Sequence, residues 1–291
     1  MIVAVKIPRD IDLSLFTRFL HQSGVWHRIA ESGDMQVIRV ESEEDKVRVI
    51  SLYGQFSSGA FSLKEGRSKP EASRNPLIGQ LLGSPLTLTL ILVNIICFPI
   101  TRGVDDGNLS SWFYIFSFLN FEVIGGQAYF ADLNYTFSSH QYWRLFTPML
   151  LHFGWLHIVF NLLWVWEIGR RIERVCGASI LLLVTLVSSL CANMLQYWML
   201  GASFFGGMSG VVYGLLGFSL VWSGMVRSRN LGVRKAIYVA MLGFLVIGFT
   251  GAFDLLGLGD LANGAHLGGL LAGLLVGGLA GALENLKVTQ T

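Results

Sequence analysis

The sequence predicts an α-helical membrane protein, six transmembrane helices preceded by a small N-terminal α+β domain, and three observations predict it. Hydrophobic residues make up 53% of the 291 positions and charged residues only 14%, with a mean hydropathy of +0.56, above the range of soluble globular chains. Long runs without any charged side chain recur from residue 75 onwards. Lysine and arginine fall unevenly among the loops between those runs, as the positive-inside rule requires of a multi-pass protein.

The elements follow in chain order. The opening MIVAVKIPRD has no basic stretch leading into an apolar one, so no cleavable signal is expected and the N-terminus is expected to stay in the cytoplasm. Residues 1–63 mix short alternating runs, MIVAVKI and MQVIRV, with helix-period segments, DIDLSLFTRFLHQ and SEEDKVRVISLYGQF, which predicts a small cytoplasmic α+β domain. Ser42 ahead of Glu44 and Asp45 suits a helix start, and Gly33–Asp34 a turn. Residues 64–83 read as a basic linker, leaving 84–286 as a six-helix transmembrane domain.

A helix needs about 20 apolar residues to cross roughly 30 Å of hydrocarbon. The charge-free windows 75–101, 145–166, 175–226, 236–253 and 261–283 supply the spans. The third is too long for one helix and breaks at GASFFGG, residues 201–207, which raises the count to six. The segment GNLSSWFYIFSFLNF, residues 107–121, is short and aromatic, and is expected to lie in the interface as a helix within a long outer loop from 102 to 144. With both termini in the cytoplasm, Lys64, Arg67, Lys69, Arg74, Arg170, Arg171, Arg174, Arg227, Arg229, Arg234, Lys235 and Lys287 lie inside, against Arg102 and Arg144 outside. A seventh span at 107–121 would reverse both later basic loops.

Composition also excludes partners. A net charge of +2 gives no electrostatic footprint for nucleic acid. Cys97, Cys176 and Cys191 are odd in number and set in or beside apolar runs, and read as packing residues rather than a disulfide framework.

Polar side chains inside the membrane are costly, so the few present are candidates for function. They are His152, His157 and Asn161 on span 2, Ser209 at the start of span 4, and His266 near the start of span 6. Spans 2, 4 and 6 run in the same direction, so early positions on each share a depth. With Thr147 and Pro148 as the cap and first helical residue of span 2, His157 is expected about 13 Å along it at about 1.5 Å per residue. His157 and Asn161 share a helix face, as do Ser209 and Tyr213. Glycines at 210 and 214, at 264 and 268, and at 269, 273, 277 and 281 allow close helix approach. A serine hydroxyl needs a base, and with no intramembrane carboxylate placed to orient His266, a Ser209–His266 dyad is expected rather than a triad. The Ser209 amide at a helix N-terminus, His157 and Asn161 can donate to a developing oxyanion. For His152 a structural hydrogen bond to the outer loop is expected, and Gly206 and Gly207 free the backbone beside the serine.

Each polar residue alone has a plainer reading, as close packing for Ser209 or as a satisfied interhelical bond for His266; the convergence of three helices is what favours catalysis. Other protease chemistries lack their signatures. No H-E-x-x-H string offers a zinc site. GLGD at 257–260 resembles an aspartyl-protease motif, but Asp260 and Asp254 sit in one loop instead of on facing helices. Val211 breaks the soluble-hydrolase G-x-S-x-G. A polytopic transporter or channel with a polar intramembrane site is the alternative, opposed by the absence of an evident repeat and of a carboxylate relay.

The strings WR at 143–144, HFGWLHIVFN at 152–161, ERVCG at 173–177, GGMSGVVYG at 206–214 and ANGAHLGGLLAG at 262–273 together resemble the rhomboid intramembrane serine proteases. The resemblance covers most of the chain and implies Ser209 as nucleophile, His266 as general base and acid, His157 and Asn161 with the Ser209 amide as oxyanion hole, and Tyr213 packed against His266. It implies cleavage of transmembrane segments of other membrane proteins within the lipid bilayer, through an acyl-enzyme and without metal, nucleotide or other cofactor. The location it implies is the bacterial inner membrane.

Overall fold

A computed structural model of the chain describes residues 2–22, 24–58, 83–104, 108–255 and 261–289, and divides it into two units, Met1–Arg74 and Asn75–Thr291. The expected basic linker at 64–83 lies outside the described residues except for Gly83, and the GLGD string lies wholly outside them.

In the first unit, β1 (Ile2–Pro8), α1 (Ser14–Gln22), β2 (His27–Ser32), β3 (Met35–Val40) and α2 (Glu43–Ser57) form an α+β module with strand order β1-β3-β2, all antiparallel. The turn between β2 and β3 uses Gly33 at φ +61, a region glycine enters without strain. The Ser42 side chain accepts the Asp45 N–H at 3.0 Å, and acids at 43–45 fill the first turn of α2, where the helix dipole favours them. Ile7, Phe16, Leu20, Ile38, Val40 and Val49 form the core. The strand β2 was not expected from the sequence, because HRIAES does not alternate cleanly.

The second unit is helical. Its elements are α3 (Pro85–Cys97), α4 (Ser111–Phe116), β4 (Phe121–Ile124), β5 (Gln127–Phe130), α5 (Leu133–Ser138), α6 (Trp155–Trp164), α7 (Arg170–Cys176), α8 (Ala178–Leu200), α9 (Ser209–Met225), α10 (Lys235–Gly248), α11 (Ala252–Leu255) and α12 (Asn263–Thr289). A π-helical turn, Val165–Gly169, joins α6 to α7 without leaving helical dihedrals. Among the described residues, Ala178–Leu200 and Asn263–Lys287 are long and apolar enough to cross a membrane, while Pro85–Thr101, Ser209–Met225 and Lys235–Gly248 are shorter apolar helices.

The break at 201–207 forms as expected: α8 ends at Gly201, φ +73, and α9 begins at Ser209. Two expectations change. The segment 107–121 is not one interfacial helix. Helix α4 covers six residues and ends at Ser117, whose ψ of 149° is extended, and the chain then enters a β4–β5 hairpin turned by Gly125 and Gly126, both at positive φ. Helix α4 stops there because side chains take its last carbonyls. Ser117 Oγ donates to Phe113 O, Arg144 Nη1 to Tyr114 O and Ser117 O, Trp143 Nε1 to Ile115 O, and Thr147 Oγ1 to Phe116 O. Buried Arg144 and its tryptophan neighbour thus hold together what looked like an outer loop.

The second change concerns span 2. Residues Thr147–Leu150 form a 3-10 turn, and the α-helix starts only at Trp155, after Gly154 at φ +119. The Pro148 carbonyl accepts the N–H groups of Leu151, at 3.1 Å, and of Gly207, at 2.9 Å, so it is not free to close a further helical turn. His157 therefore lies in the first turn of its helix rather than 13 Å into it.

At the opposite end of the helices, the Glu173 carboxylate accepts the Leu86 N–H, the Thr87 N–H and the Thr87 hydroxyl, at 2.8, 2.8 and 2.6 Å. A buried carboxylate thereby caps the N-terminus of α3, where the dipole and the orphan N–H groups favour an anion.

Candidate active site

Helices α9 and α12 pack backbone to backbone. A methyl group added at Gly269 or Gly273 would overlap the carbonyl oxygens of Gly210 and Gly214, and one at Gly277 would stand 2.9 Å from Phe218 O. The other glycine face of α12, Gly264 and Gly268, meets α8 at Gln196 and Cys191. Glycine spacing of four residues therefore seats α12 against two partners at once.

That approach brings the first turns of three helices together. Ser209 is the first residue of α9, His157 the third of α6 and His266 the fourth of α12. Ser209 Oγ and His266 Nε2 are 2.9 Å apart. His266 is 4% exposed, and its Nδ1 has no hydrogen-bond partner, so no carboxylate orients it. The ring packs against Tyr213 in a tilted arrangement, at a centroid distance of 4.8 Å and 33°.

His157 and Asn161 converge on Gly207. A methyl at Gly207 would lie 2.5 Å from His157 Nε2 and 3.4 Å from Asn161 Nδ2, and its φ of +112 also favours glycine. Asn161 Nδ2 is buried without a partner. Two potential donors thus point at the backbone just before Ser209, beside the N–H groups that a helix start leaves without intrahelical acceptors.

The loop carrying Ser209 is held from four sides. Phe204 packs against the rings of Phe113, Phe121 and Phe130, at 5.2, 4.7 and 4.9 Å. Phe205 meets Phe118 at 5.4 Å, Gly207 N–H donates to Pro148 O, and Met208 N–H donates to His152 Nε2 at 3.3 Å. His152 thus bonds the serine loop rather than the outer loop expected from the sequence. The hairpin supplies two of the four ring contacts on FF, through Phe121 and Phe130, and its Gly-Gly turn between FEVI and QAYF was a readable signal.

Gln196 was missed. It is a buried polar residue of α8 whose Oε1 accepts the Ala265 N–H at 3.0 Å, taking an orphan amide in the first turn of α12 next to His266. Asn263, the first residue of α12, was also missed. Gln196 lies in a charge-free window, where a polar residue should have drawn the same attention as Ser209.

A serine hydroxyl bonded to an imidazole, beside converging donors and a helix N-terminus, is equipped for acyl transfer. Comparisons with known proteins agree. A family model described as the Rhomboid domain matches residues 139–282, and one described as the Rhomboid N-terminal domain matches residues 1–66. A Rhomboid protease GlpG of Pectobacterium atrosepticum is 37% identical over 189 residues, 64% of this chain and 59% of that relative, so the match spans under two thirds of its length. A Rhomboid protease GlpG of Photorhabdus laumondii is 34% identical over 282 residues, covering 93% of this chain and 92% of the relative. The chain belongs to the rhomboid family of intramembrane serine proteases.

Proposed function

We propose that Ser209 is the nucleophile and His266 the general base and acid of an endopeptidase that cleaves transmembrane segments of other membrane proteins. The observation that carries this reading is the Ser209–His266 hydrogen bond of 2.9 Å, made between the first turns of two glycine-packed helices. Ser209 Oγ attacks the substrate carbonyl carbon as its proton passes to His266 Nε2. The oxyanion accepts hydrogen bonds from the Ser209 N–H, from Asn161 Nδ2 and from His157 in the tautomer protonated on Nε2. Collapse expels the amine, which takes the proton from His266, and leaves an acyl-enzyme. Water, deprotonated by His266, then adds to the ester, and His266 returns that proton to Ser209 Oγ as the acid leaves. The small cavity lined by Met149, Ala192, Phe205 and Ala265, beside Ser189 and Asn193, suits a small side chain at the cleaved bond.

The membrane placement belongs to the same proposal. Six spans cross a bacterial inner membrane with both termini cytoplasmic, residues 1–63 form a cytoplasmic domain, 64–83 a basic linker and 84–286 the catalytic domain. What supports it is the partition of basic residues together with the five apolar helical segments and the α6–α7 path. Water reaches the dyad from the outer side. With the three native cysteines replaced, Ser209→Cys is expected to react with a membrane-impermeant thiol reagent added outside; reaction from the cytoplasmic side alone would overturn the placement.

Cleavage of a single-pass substrate by wild type, Ser209→Ala, His266→Ala and Asn161→Ala tests the chemistry. Both dyad variants are expected to be inactive, and Asn161→Ala to lose about 10² in rate, as loss of one oxyanion donor does. Equal cleavage by wild type and Ser209→Ala would defeat the assignment. The transporter alternative gains no support from a chain whose family is proteolytic.

A further inference from the structure

Among the described residues of the second unit, the β4–β5 hairpin is the only sheet, and it has two strands. A hairpin of that size is marginal unless something packs on it. Here the serine loop does: Phe121 of β4 and Phe130 of β5 both pack against Phe204, five residues before Ser209, and Tyr114 stacks on Phe121 at 4.5 Å. Free strand edges are ordinarily blunted by lysine, proline or a bulge. FEVI and QAYF carry none of these, and their register from Phe121↔Phe130 to Ile124↔Gln127 is unbroken.

The register tells which backbone groups each edge presents. The Ala131 N–H donates to Asn120 O at 2.8 Å, so these two residues form a bonded pair, and by alternation Glu122 with Tyr129 and Ile124 with Gln127 do too. The residues between them turn their N–H and C=O groups away from the partner strand: Phe121 and Val123 on β4, Ala128 and Phe130 on β5. Among the described residues none of these groups is bonded to another element. The surroundings of the two edges differ. Phe130 packs also on the cluster of Phe118, Leu119 and Phe205, which Ala262, four residues before His266, joins. Phe121 packs instead with Phe113 and Leu151. The β5 edge is thus the one on the side of the dyad.

We propose that the β5 edge is a substrate-binding surface: the stretch of substrate just outside the cleaved bond adds to the hairpin as a third strand, its backbone bonded to Ala128 and Phe130. The chemistry that favours this is the fate of an unwound helix. A transmembrane segment delivered to Ser209 gives up intrahelical hydrogen bonds around the cleaved bond, and backbone groups freed at a membrane surface are costly until they find partners. A free strand edge supplies partners whatever the side chains are. The reach fits as well. The chain from Phe204 to Ser209 spans at most about 17 Å, which a flank of about five residues covers at about 3.3 Å each. Side-chain preference follows from the pleat: an added strand lies beside Ala128 on one face and beside Gln127 and Tyr129 on the other, so alternating β-branched residues fit and proline does not.

The inference rests on the proteolytic reading above, and the experiment keeps the two apart. The full chain in detergent cleaves a synthetic single-pass peptide whose outer flank alternates valine and threonine. Two further peptides carry backbone N-methyl groups on one or the other alternate set of flank residues, which removes N–H donors and keeps the side chains. One set is expected to raise KM about tenfold, the scale of one to two lost backbone hydrogen bonds, and the other to leave it within about twofold, because only alternate residues of a strand face its neighbour. The kcat is expected to stay within about twofold, since the contact is made in ground and transition state alike. Ala128→Pro removes an outward N–H without breaking a bond to β4. It is expected to raise KM for the unmethylated peptide as much, whereas Val123→Pro on the other edge leaves it within about twofold. Both variants are expected to react at Ser209 with a small fluorophosphonate at the wild-type rate, since that probe does not reach the hairpin. No effect of either methylated set on wild type, or an equal effect of both, would overturn the inference without any variant, as would a larger change at Val123→Pro than at Ala128→Pro. Failure of wild type to label or to cleave any of the peptides would instead remove the dyad assignment.

Discussion

Helices α12 and α10 both pack beside the serine helix α9, yet they do so by opposite means. Helix α12 meets α9 through glycines so close that a single methyl at Gly269 or Gly273 would enter a backbone carbonyl. Helix α10 buries a narrow stripe, Ile237, Met241 and Leu245, and relies on side-chain hydrogen bonds: Tyr213 to Met241 O, Asn263 to Gly248 O, and Ser219 with Tyr238 at 3.0 Å. Backbone contact admits almost no adjustment, because interiors transmit strain instead of absorbing it. A helix held by separate hydrogen bonds of about 1 kcal/mol each can be released in steps. The difference assigns the rigid part of the site to the Ser209–His266 distance and the adjustable part to the surface around it.

The largest expected effect breaks the rigid contact. Gly269→Ala places a methyl on the Gly210 carbonyl, and neither backbone can yield without parting α9 from α12. A cost of at least about 3 kcal/mol, the upper end of ordinary overpacking, is expected, together with loss of fluorophosphonate labelling as Ser209 and His266 separate. Thermal unfolding in detergent with labelling in parallel measures both. A folded Gly269→Ala protein that labels like wild type would show that the glycine contact is dispensable.

The adjustable contact is tested away from the dyad by Tyr238→Phe. It removes the hydroxyl through which α10 meets Ser219 and Ser223 of α9, while Ser219 keeps its bond to Leu216 O at 2.9 Å and Ser223 still accepts the Leu231 N–H. A loss of about 1 kcal/mol is expected, with kcat within about twofold of wild type, because the residue lies toward the N-terminal end of α10, before the Met241 contact. A loss of kcat of about tenfold, the scale of a small misalignment, would give this contact the same hold on the dyad as the glycine contact.

This contrast explains what could be read from the sequence. The glycine periodicity at 269, 273 and 277 and the first-turn positions of Ser209 and His266 are properties of single helices, and they emerge from spacing alone. The expected approach of His157 to them came from its early position on a parallel span, and only the offset changes: the helix begins at Trp155, which puts His157 in its first turn. The ties of α10 were illegible because their acceptors are the backbone carbonyls of Met241 and Gly248, which leave no trace in side-chain pattern. The Gly-Gly turn marks the hairpin, but the closing of the aromatic layer on Phe204 was illegible for a related reason. Residues 107–121 carry enough apolar side chains for one helix, and the distant Trp143, Arg144 and Thr147, with the local Ser117, take the carbonyls of α4 and end it after six residues.

The smallest expected effect has the opposite sign and sharpens the comparison most directly. Gly243 is a helical glycine of α10, and a methyl added there would meet nothing within 4 Å. Replacing it by alanine leaves every contact of α10 in place and removes backbone freedom from the unfolded chain, which in a helix interior is worth about 0.5–1 kcal/mol. Gly243→Ala is therefore expected to raise the thermal midpoint slightly and to leave the labelling rate at Ser209 unchanged. The same substitution, glycine to alanine, would then stabilise one neighbour of the serine helix and destroy its contact with the other. Should Gly243→Ala lower the midpoint as Gly269→Ala does, α10 would have to be packed as tightly as α12, and the division of the site into a rigid and an adjustable wall would fall.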